Sequence, residues 1–341
     1  MGYLSKRKFQ ERERSTTLFL LMAIPTLTLL GTLGRSADWR LDYIGEFKTQ
    51  AAFLSIALAL WCAVKKRALE TAVFAVFAVL NLALVASHYH LSERESRLPE
   101  DYSHFTFLYQ DLKGADEHAD AVRQVLDSTD ADVVFWTNVP VDIYRKLNEI
   151  KGGYYLQNQS FNKQGKMMLV MARTPGTARG LIDDDAGIWV SRVIGTRKLT
   201  LALTSLGDPW NQKGYHTAKE KVAALANFVR SRDDPVVLIG GFGASGWSYL
   251  LKPLEDIGGL QTDSTVVLTS AANRPWFLRR PTDYVYVHPG MEVADLRATE
   301  PFGTNHVGLT GTLKIAPIRK EIEFFELEPT LPEEELLQPP L

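Results

Sequence analysis

Three apolar stretches crowd the first quarter of the chain: Thr16–Leu33, about Thr49–Val64, and about Ala68–Ala86. A helix needs about 20 mostly apolar residues to cross a bilayer, so the first and third qualify directly. The second qualifies if Phe47 joins it and Lys48 snorkels towards the headgroups. Pro25 kinks the first, which membrane helices tolerate. Two further apolar stretches, and the lack of an A-x-A-like cleavage site, argue against a cleaved signal peptide.

Lysine and arginine set the expected orientation. Lys6, Arg7, Lys8, Arg12 and Arg14 precede the first stretch, and Lys65, Lys66 and Arg67 separate the second from the third. The intervening loop offers only Arg35, Arg40 and Lys48. Residues 1–15 and the Lys65–Arg67 turn are therefore expected in the cytoplasm, with everything after residue 88 outside it. In a bacterium this is an inner-membrane protein with a periplasmic domain.

The rest of the 341 residues is a mixed, water-soluble sequence, and the net charge of −2 leaves no basic footprint for nucleic acid. The one cysteine, Cys62, lies inside an apolar stretch and excludes both an intrachain disulfide and a cysteine-based zinc site. Residues 88–103 read as a polar linker, in which His88 and His90 lack an acidic or cysteine partner and read as interfacial polar residues. From His104 strands and helices alternate. "FTFLYQ" reads as a strand, "HADAVRQVLDS" as a helix with Ala121, Val122, Val125 and Leu126 on one face, and "DVVFWT" as the next strand. The pattern recurs in "TAKEKVAALANFVRS", opened by a Thr217…Glu220 capping box, followed by Asp233-Asp234-Pro235 and the strand "VVLIG". Between and after these come strand-like "KMMLVMA", "GIWVSRV", "KLTLALTS", "TVVLTS", "DYVYV" and "VGLTGTLKI".

Two such units with several hairpins predict two mixed sheets packed face to face with helices outside. Functional groups then gather past the carboxyl ends of the inner strands: Asp111, Asn138, Ser205 and Gly241–Gly243. Residues 319–341 are acidic and proline-containing and read as an extended tail. Phe324, Phe325, Leu336 and Leu337, costly to leave in water, would let that tail dock as a strap.

Gly241-Phe242-Gly243-Ala244-Ser245-Gly246 is literally G-x-G-x-x-G. A dinucleotide site also needs an acidic residue at the end of the next strand. That strand ends in Thr269 and Ser270, and Asp263 precedes it, so nicotinamide or flavin binding is not expected.

In strand order and motifs, residues 16–318 resemble the endonuclease/exonuclease/phosphatase family of metal-dependent phosphodiesterases, the DNase I-like enzymes. They resemble in particular bacterial members with three membrane helices ahead of the domain, down to the "WRLDYIGEFKTQ" before the second span. The resemblance implies a four-layer α/β sandwich over residues 104–318 and a set of site positions. Asp111, with Gln110 adjacent, stands where the family has a metal-site asparagine. Asn138 replaces the principal metal-ligand glutamate, and Ser205 replaces a histidine. Gly240-Gly241-Phe242-Gly243 stands in place of Gly-Asp-Phe-Asn, with Trp247-Ser248 kept. Pro281-Thr282-Asp283-Tyr284 keeps the aspartate of "PIDH". Thr304-Asn305-His306 keeps only the histidine of "SDH".

Phosphodiester hydrolysis of this kind uses Mg²⁺ held by carboxylates, and a base to ready the attacking water. A carboxylate about 4 Å from a unit charge is worth roughly 4 kcal/mol at an effective dielectric of 20. Neutral Asn138 and Asn305 and bare Gly241 and Gly243 thus imply a relict site: no bound metal, no cofactor and no catalytic residue. The surviving Asp283–His306 pair reads as a buried structural hydrogen bond or as a retained phosphate contact. The resemblance thus implies a catalytically degenerate, membrane-anchored binding or scaffolding subunit, with protein partners at the spans and tail. The alternative is a Mg²⁺- or Mn²⁺-dependent phosphodiesterase or phosphatase with a rearranged site using Asp111, Asp283 and His306, with His216 or Asp208 as further candidates.

Overall fold

The computed structural model describes residues 21–86, 102–115, 119–149, 153–161, 167–183, 185–262, 267–300 and 304–316. The expected tail, the His88–His90 pair and the first residues of the first apolar stretch, 16–20, lie outside them.

Among the described residues four helices come first: α1 (Leu21–Gly34), α2 (Trp39–Gly45), α3 (Lys48–Val64) and α4 (Ala68–Ala86). By length and composition α4 can cross a membrane alone, α2 and α3 qualify together as a pair bent by 51°, and the described part of α1 is shorter. Large apolar side chains such as Leu27, Leu60, Val76 and Val79 point outward on these helices. Polar contacts are turned inward, as in the hydrogen bond from Thr28 Oγ1 on α1 to Asn81 Oδ1 on α4, 3.1 Å. α2 was not expected. Asp38 caps it by accepting from the Arg40 N–H.

The remaining described residues build two six-stranded sheets and their flanking helices. The first runs β11 (Met291–Ala298), β12 (Leu309–Ile315), β1 (Ser103–Asp111), β2 (Val133–Val139), β4 (Met167–Ala172), β3 (Tyr155–Phe161). The second runs β5 (Ala178–Ile182), β6 (Gly187–Ile194), β7 (Arg197–Ser205), β8 (Val236–Gly241), β10 (Asp283–Val287), β9 (Gln261–Thr262). β1 and β2 pair in parallel, as do β7 and β8. Each parallel pair is bridged by a helix, α5 (Ala119–Ser128) and α7 (Gln212–Arg230), as a parallel connection requires. α6 (Val141–Glu149) and α8 (Lys252–Asp256) complete the outer layers.

Three apolar layers follow from side-chain alternation along the strands. Phe105, Phe107, Val237, Ile239 and Val285 fill the space between the sheets. Leu108, Val134, Trp136 and Leu126 pack the first sheet against α5 and α6. Leu238, Tyr286, Leu225 and Val229 pack the second against α7. This is the expected four-layer α/β sandwich.

Two local expectations fail. α7 starts at Gln212, capped by Asn211, whose side-chain oxygen accepts from Gly214 N at 2.9 Å. Thr217 and Glu220 therefore lie inside the helix and form no capping box. In "TVVLTS" no strand forms among the described residues beyond one bridge between Ser270 and His306. Thr269 Oγ1 instead accepts the Thr282 and Asp283 N–H groups, both at 3.1 Å.

Candidate functional site

Alternation builds the site. Odd-numbered residues of β1, β7, β8 and β10 face the space between the sheets. Continuing those rows to the strand ends brings Asp111, Ser205, Gly241 and Asp283 to one side, with Asp283 paired directly to Gly241. Asn138 has the wrong parity: by alternation it would join Trp136 on the outer face. A left-handed backbone, φ 53°, at the register break between Trp136 and Val139 turns it inward, a conformation asparagine tolerates.

A pocket of about 400 Å³ opens there, walled by Asp111, Asn138, Ser205, Gly241, Gly243, Asp283 and His306, with Lys113, Asp208 and Asn211 among the residues further out. Seven of the eight sequence-identified positions thus converge. The eighth, Asn305, is exposed and lies off that wall: its amide nitrogen faces Gly114, and its carbonyl accepts from Ala272 N at 2.9 Å. Gln110 is also outside, because its parity sends it to the opposite face of β1. There its amide donates to Thr304 Oγ1 at 3.1 Å and to the His306 carbonyl at 3.0 Å. His216 is exposed on α7 and does not line the pocket, whereas Asp208 does and pairs with Lys113 at 2.6 Å.

Ligand-capable atoms of Asp111, Asp283 and His306 lie within 4.8 Å of one another. Donors surround both carboxylates. Asp111 accepts from Asn138 Nδ2 at 2.7 Å and from Lys113 N at 2.8 Å. Asp283 accepts from Tyr109 Oη at 3.1 Å and faces His306 Nδ1 at 2.9 Å. Burial disfavours a charged His306, but the Asp283 carboxylate and its hydrogen bond, then Asp111, outweigh it and push the imidazole up to about 9. Burial also raises Asp111, with His306 opposing. It lifts the Tyr109 hydroxyl well above its usual range, keeping it a neutral donor.

Whether a hard divalent cation suits these residues follows from the donor set. Mg²⁺ takes oxygen ligands near octahedral geometry. Where the resemblance expects its main carboxylate, Asn138 points an N–H at Asp111, and the Asp283 carboxylate favours the protonated form of His306. These hydrogen bonds compete with such an ion for the Asp111–Asp283–His306 cluster. A Cβ on Gly243, φ 65°, would lie 2.1 Å from the Gly207 carbonyl oxygen. On Gly241 it would lie 3.0 Å from both Asp283 Oδ1 and Tyr109 Oη.

The far end of the same loop meets the N-terminal helices. Asp42 on α2 is 2% exposed. It accepts from Ser248 Oγ at 2.7 Å, Tyr249 N at 2.8 Å, Tyr215 Oη at 3.1 Å and Leu250 N at 3.2 Å. Arg35 donates to the Trp247 carbonyl at 2.6 Å, and buried Glu46 pairs with Arg280. Lys48, expected to snorkel, is buried 5.4 Å from the Trp247 ring, because the docked loop covers the start of α3. Sequence reading missed Tyr109, Lys113 and this clasp. The one available signal was an aspartate and a glutamate set between apolar stretches.

Two packed mixed sheets with a polar pocket at their inner strand ends define a DNase I-like fold. The endonuclease/exonuclease/phosphatase family model matches residues 107–306, and the chain belongs to that family. Among solved structures, the fold is similar to an endonuclease/exonuclease/phosphatase from Bacteroides vulgatus, at 12% identity and TM-score 0.54, covering 62% of this chain and 99% of that one. It is also similar to D. rerio TDP2 complexed with single strand DNA product, at 14% identity and TM-score 0.52, covering 62% and 99%. No curated protein matches the chain at a significant level.

Proposed function

We propose that the chain is a catalytically degenerate member of its family, held in the bacterial inner membrane by its N-terminal helices with the sandwich in the periplasm, and serving as a binding or scaffolding subunit of a membrane complex. One observation carries the reading: the protein's own donors, Asn138, Lys113 N, Tyr109 and protonated His306, occupy the carboxylates that a cation would bridge. The crowding at Gly241 and Gly243 supports it, and the lysine and arginine asymmetry around the helices supports the placement. No cofactor and no nucleic acid are expected, and protein partners are expected at the helices and the tail.

A second reading keeps Asp111, Asp283 and His306 as ligands of Mg²⁺ or Mn²⁺ in a rearranged hydrolase, on the strength of their clustering. Titration calorimetry of the detergent-solubilised full chain with MgCl₂ and MnCl₂, beside turnover of a bis-aryl phosphodiester, separates the two. The degenerate reading expects no saturable metal heat and no turnover above the detergent blank. Tight binding with turnover abolished by His306→Ala would replace it with the hydrolase. Mild-detergent extraction of the native protein tests the subunit role: a stoichiometric companion is expected, and a lone chain counts against it.

A further inference from the structure

The segment Asn273–Leu278 between β9 and β10 is exposed throughout and carries three consecutive large apolar side chains: Trp276, Phe277 and Leu278, 59%, 42% and 45% exposed. It is a built loop. Arg274 N bonds the Ala271 carbonyl at 2.8 Å and Leu278 N the Pro275 carbonyl at 2.9 Å. The Arg279 guanidinium closes the loop from inside, donating to the carbonyls of Ala272 at 2.7 Å and Arg274 at 2.9 Å. A water-facing loop gains nothing from three adjacent hydrophobes, and contiguous exposed apolar surface marks a contact site.

Its position names the contact. Gln50, in the first turn of α3, donates to the Arg279 carbonyl at 3.0 Å. Phe53 packs edge-on against Trp276, ring centroids 5.3 Å apart. At 1.5 Å of rise per residue, Phe53 is about 4–5 Å further along the helix than Gln50. The loop therefore descends beside α3 in the direction in which that helix becomes continuously apolar, with Arg279 above and Trp276 below. Tryptophan at the boundary and arginine above it is the arrangement that suits the headgroup–acyl border, where interfacial elements bury about 5–10 Å deep.

We infer that the Asn273–Leu278 loop is a second membrane contact, dipping Trp276, Phe277 and Leu278 into the outer face of the bilayer beside α3 while Arg274 meets lipid phosphates. It rests on the membrane-anchored reading above. It adds a lipid-facing surface on the sandwich itself, fixing the tilt of that domain on the membrane.

The test uses the full chain in nanodiscs of phosphatidylethanolamine and phosphatidylglycerol, with Cys62→Ser and one new cysteine at a time carrying an environment-sensitive fluorophore. Phe277→Cys and Leu278→Cys report the loop, Val79→Cys the exposed face of α4, and Lys219→Cys the water-facing side of α7. The label at Phe277→Cys is expected to lose about half its emission or more to lipid bearing a nitroxide near the glycerol end of its acyl chain, and little to aqueous iodide. Leu278→Cys should respond in the same direction, guarding against local damage at Phe277, and Lys219→Cys should show the reverse. Iodide quenching at Phe277→Cys with Val79→Cys shielded overturns the loop contact and leaves the anchor standing. Shielding from both quenchers at Phe277→Cys also overturns it, since a partner protein or a second copy then covers the loop. Iodide access at Val79→Cys sinks the anchor first, and the loop contact with it.

Discussion

One loop, Gly241 to Leu250, has two ends with opposite chemistry. The pocket end offers no side chains at Gly241 and Gly243, and the carboxylates opposite it are quenched by neighbouring donors. The helix end meets a buried carboxylate, Asp42, set among four donors, and Glu46 pairs separately with Arg280 just before β10. The pocket end is anchored by its backbone and core: Phe242 N bonds the Thr282 carbonyl at 2.8 Å, and the Phe242 ring stacks edge-on with Tyr286. Buried polar groups survive only where they are satisfied, so their distribution shows where the fold depends on specificity. Here the satisfied groups join the helices to the sandwich, partly through the segment that resembles a catalytic loop.

Removing the acceptor at the helix end should have the largest effect. Asp42→Ala strands several buried donors at once, and is expected to lower stability by about 3 kcal/mol or more in thermal unfolding of the solubilised chain. Asp42→Asn, which keeps one oxygen, should lose less. If both variants melt with the wild type, the clasp contributes nothing and the contrast between the ends collapses. At the pocket end, Gly243→Ala forces a Cβ against the Gly207 carbonyl in a left-handed backbone. The expected loss is about 2–3 kcal/mol. A neutral result would mean that the loop has room for a side chain at this position, and the crowding around Gly243 would not distinguish this end.

How much of this the sequence discloses follows from which interactions are local. Period-two alternation in "LTLALTS", "VVLIGG" and "DYVYV" places Ser205, Gly241 and Asp283 on one side without any coordinates. Tyr109 escapes notice because an aromatic in a strand reads as core, and it is core; only the arrival of Asp283 from β10, far along the chain, gives its hydroxyl a task. α2 is invisible because seven residues between apolar stretches carry too little periodicity, and its stability comes from docking. Thr217 and Glu220 satisfy a capping pattern inside a helix already begun, since Asn211 supplies the actual cap. "TVVLTS" has strong strand propensity, but its Thr269 hydroxyl meets the neighbouring N–H groups that a ladder would have used, so tertiary context prevails.

The Asp283–His306 pair sharpens the contrast through pH. An imidazole ordinarily near 6.5 held at about 9 stabilises the fold fully below pH 6.5, and loses that contribution as pH rises through 9. The wild type should therefore lose on the order of 2 kcal/mol across that window, while His306→Gln shows a flatter profile. A wild-type profile as flat as the variant's would mean that His306 is neutral and free to act as a ligand, reopening the pocket to a metal.

The smallest effect asks whether the helices need the sandwich to hold their shape. Thr28→Val removes the hydrogen bond from α1 to Asn81 on α4 without changing side-chain volume much. Interhelical hydrogen bonds of this kind average about 0.6 kcal/mol, because the alternative states also find partners. In a double-mutant cycle with Asp42→Ala, the two losses should add if helix packing and loop docking are separate. A Thr28→Val effect that vanishes in the Asp42→Ala background would mean that α1 meets α4 only once the loop has seated α2. The docked loop would then organise the helical region as well as hold it.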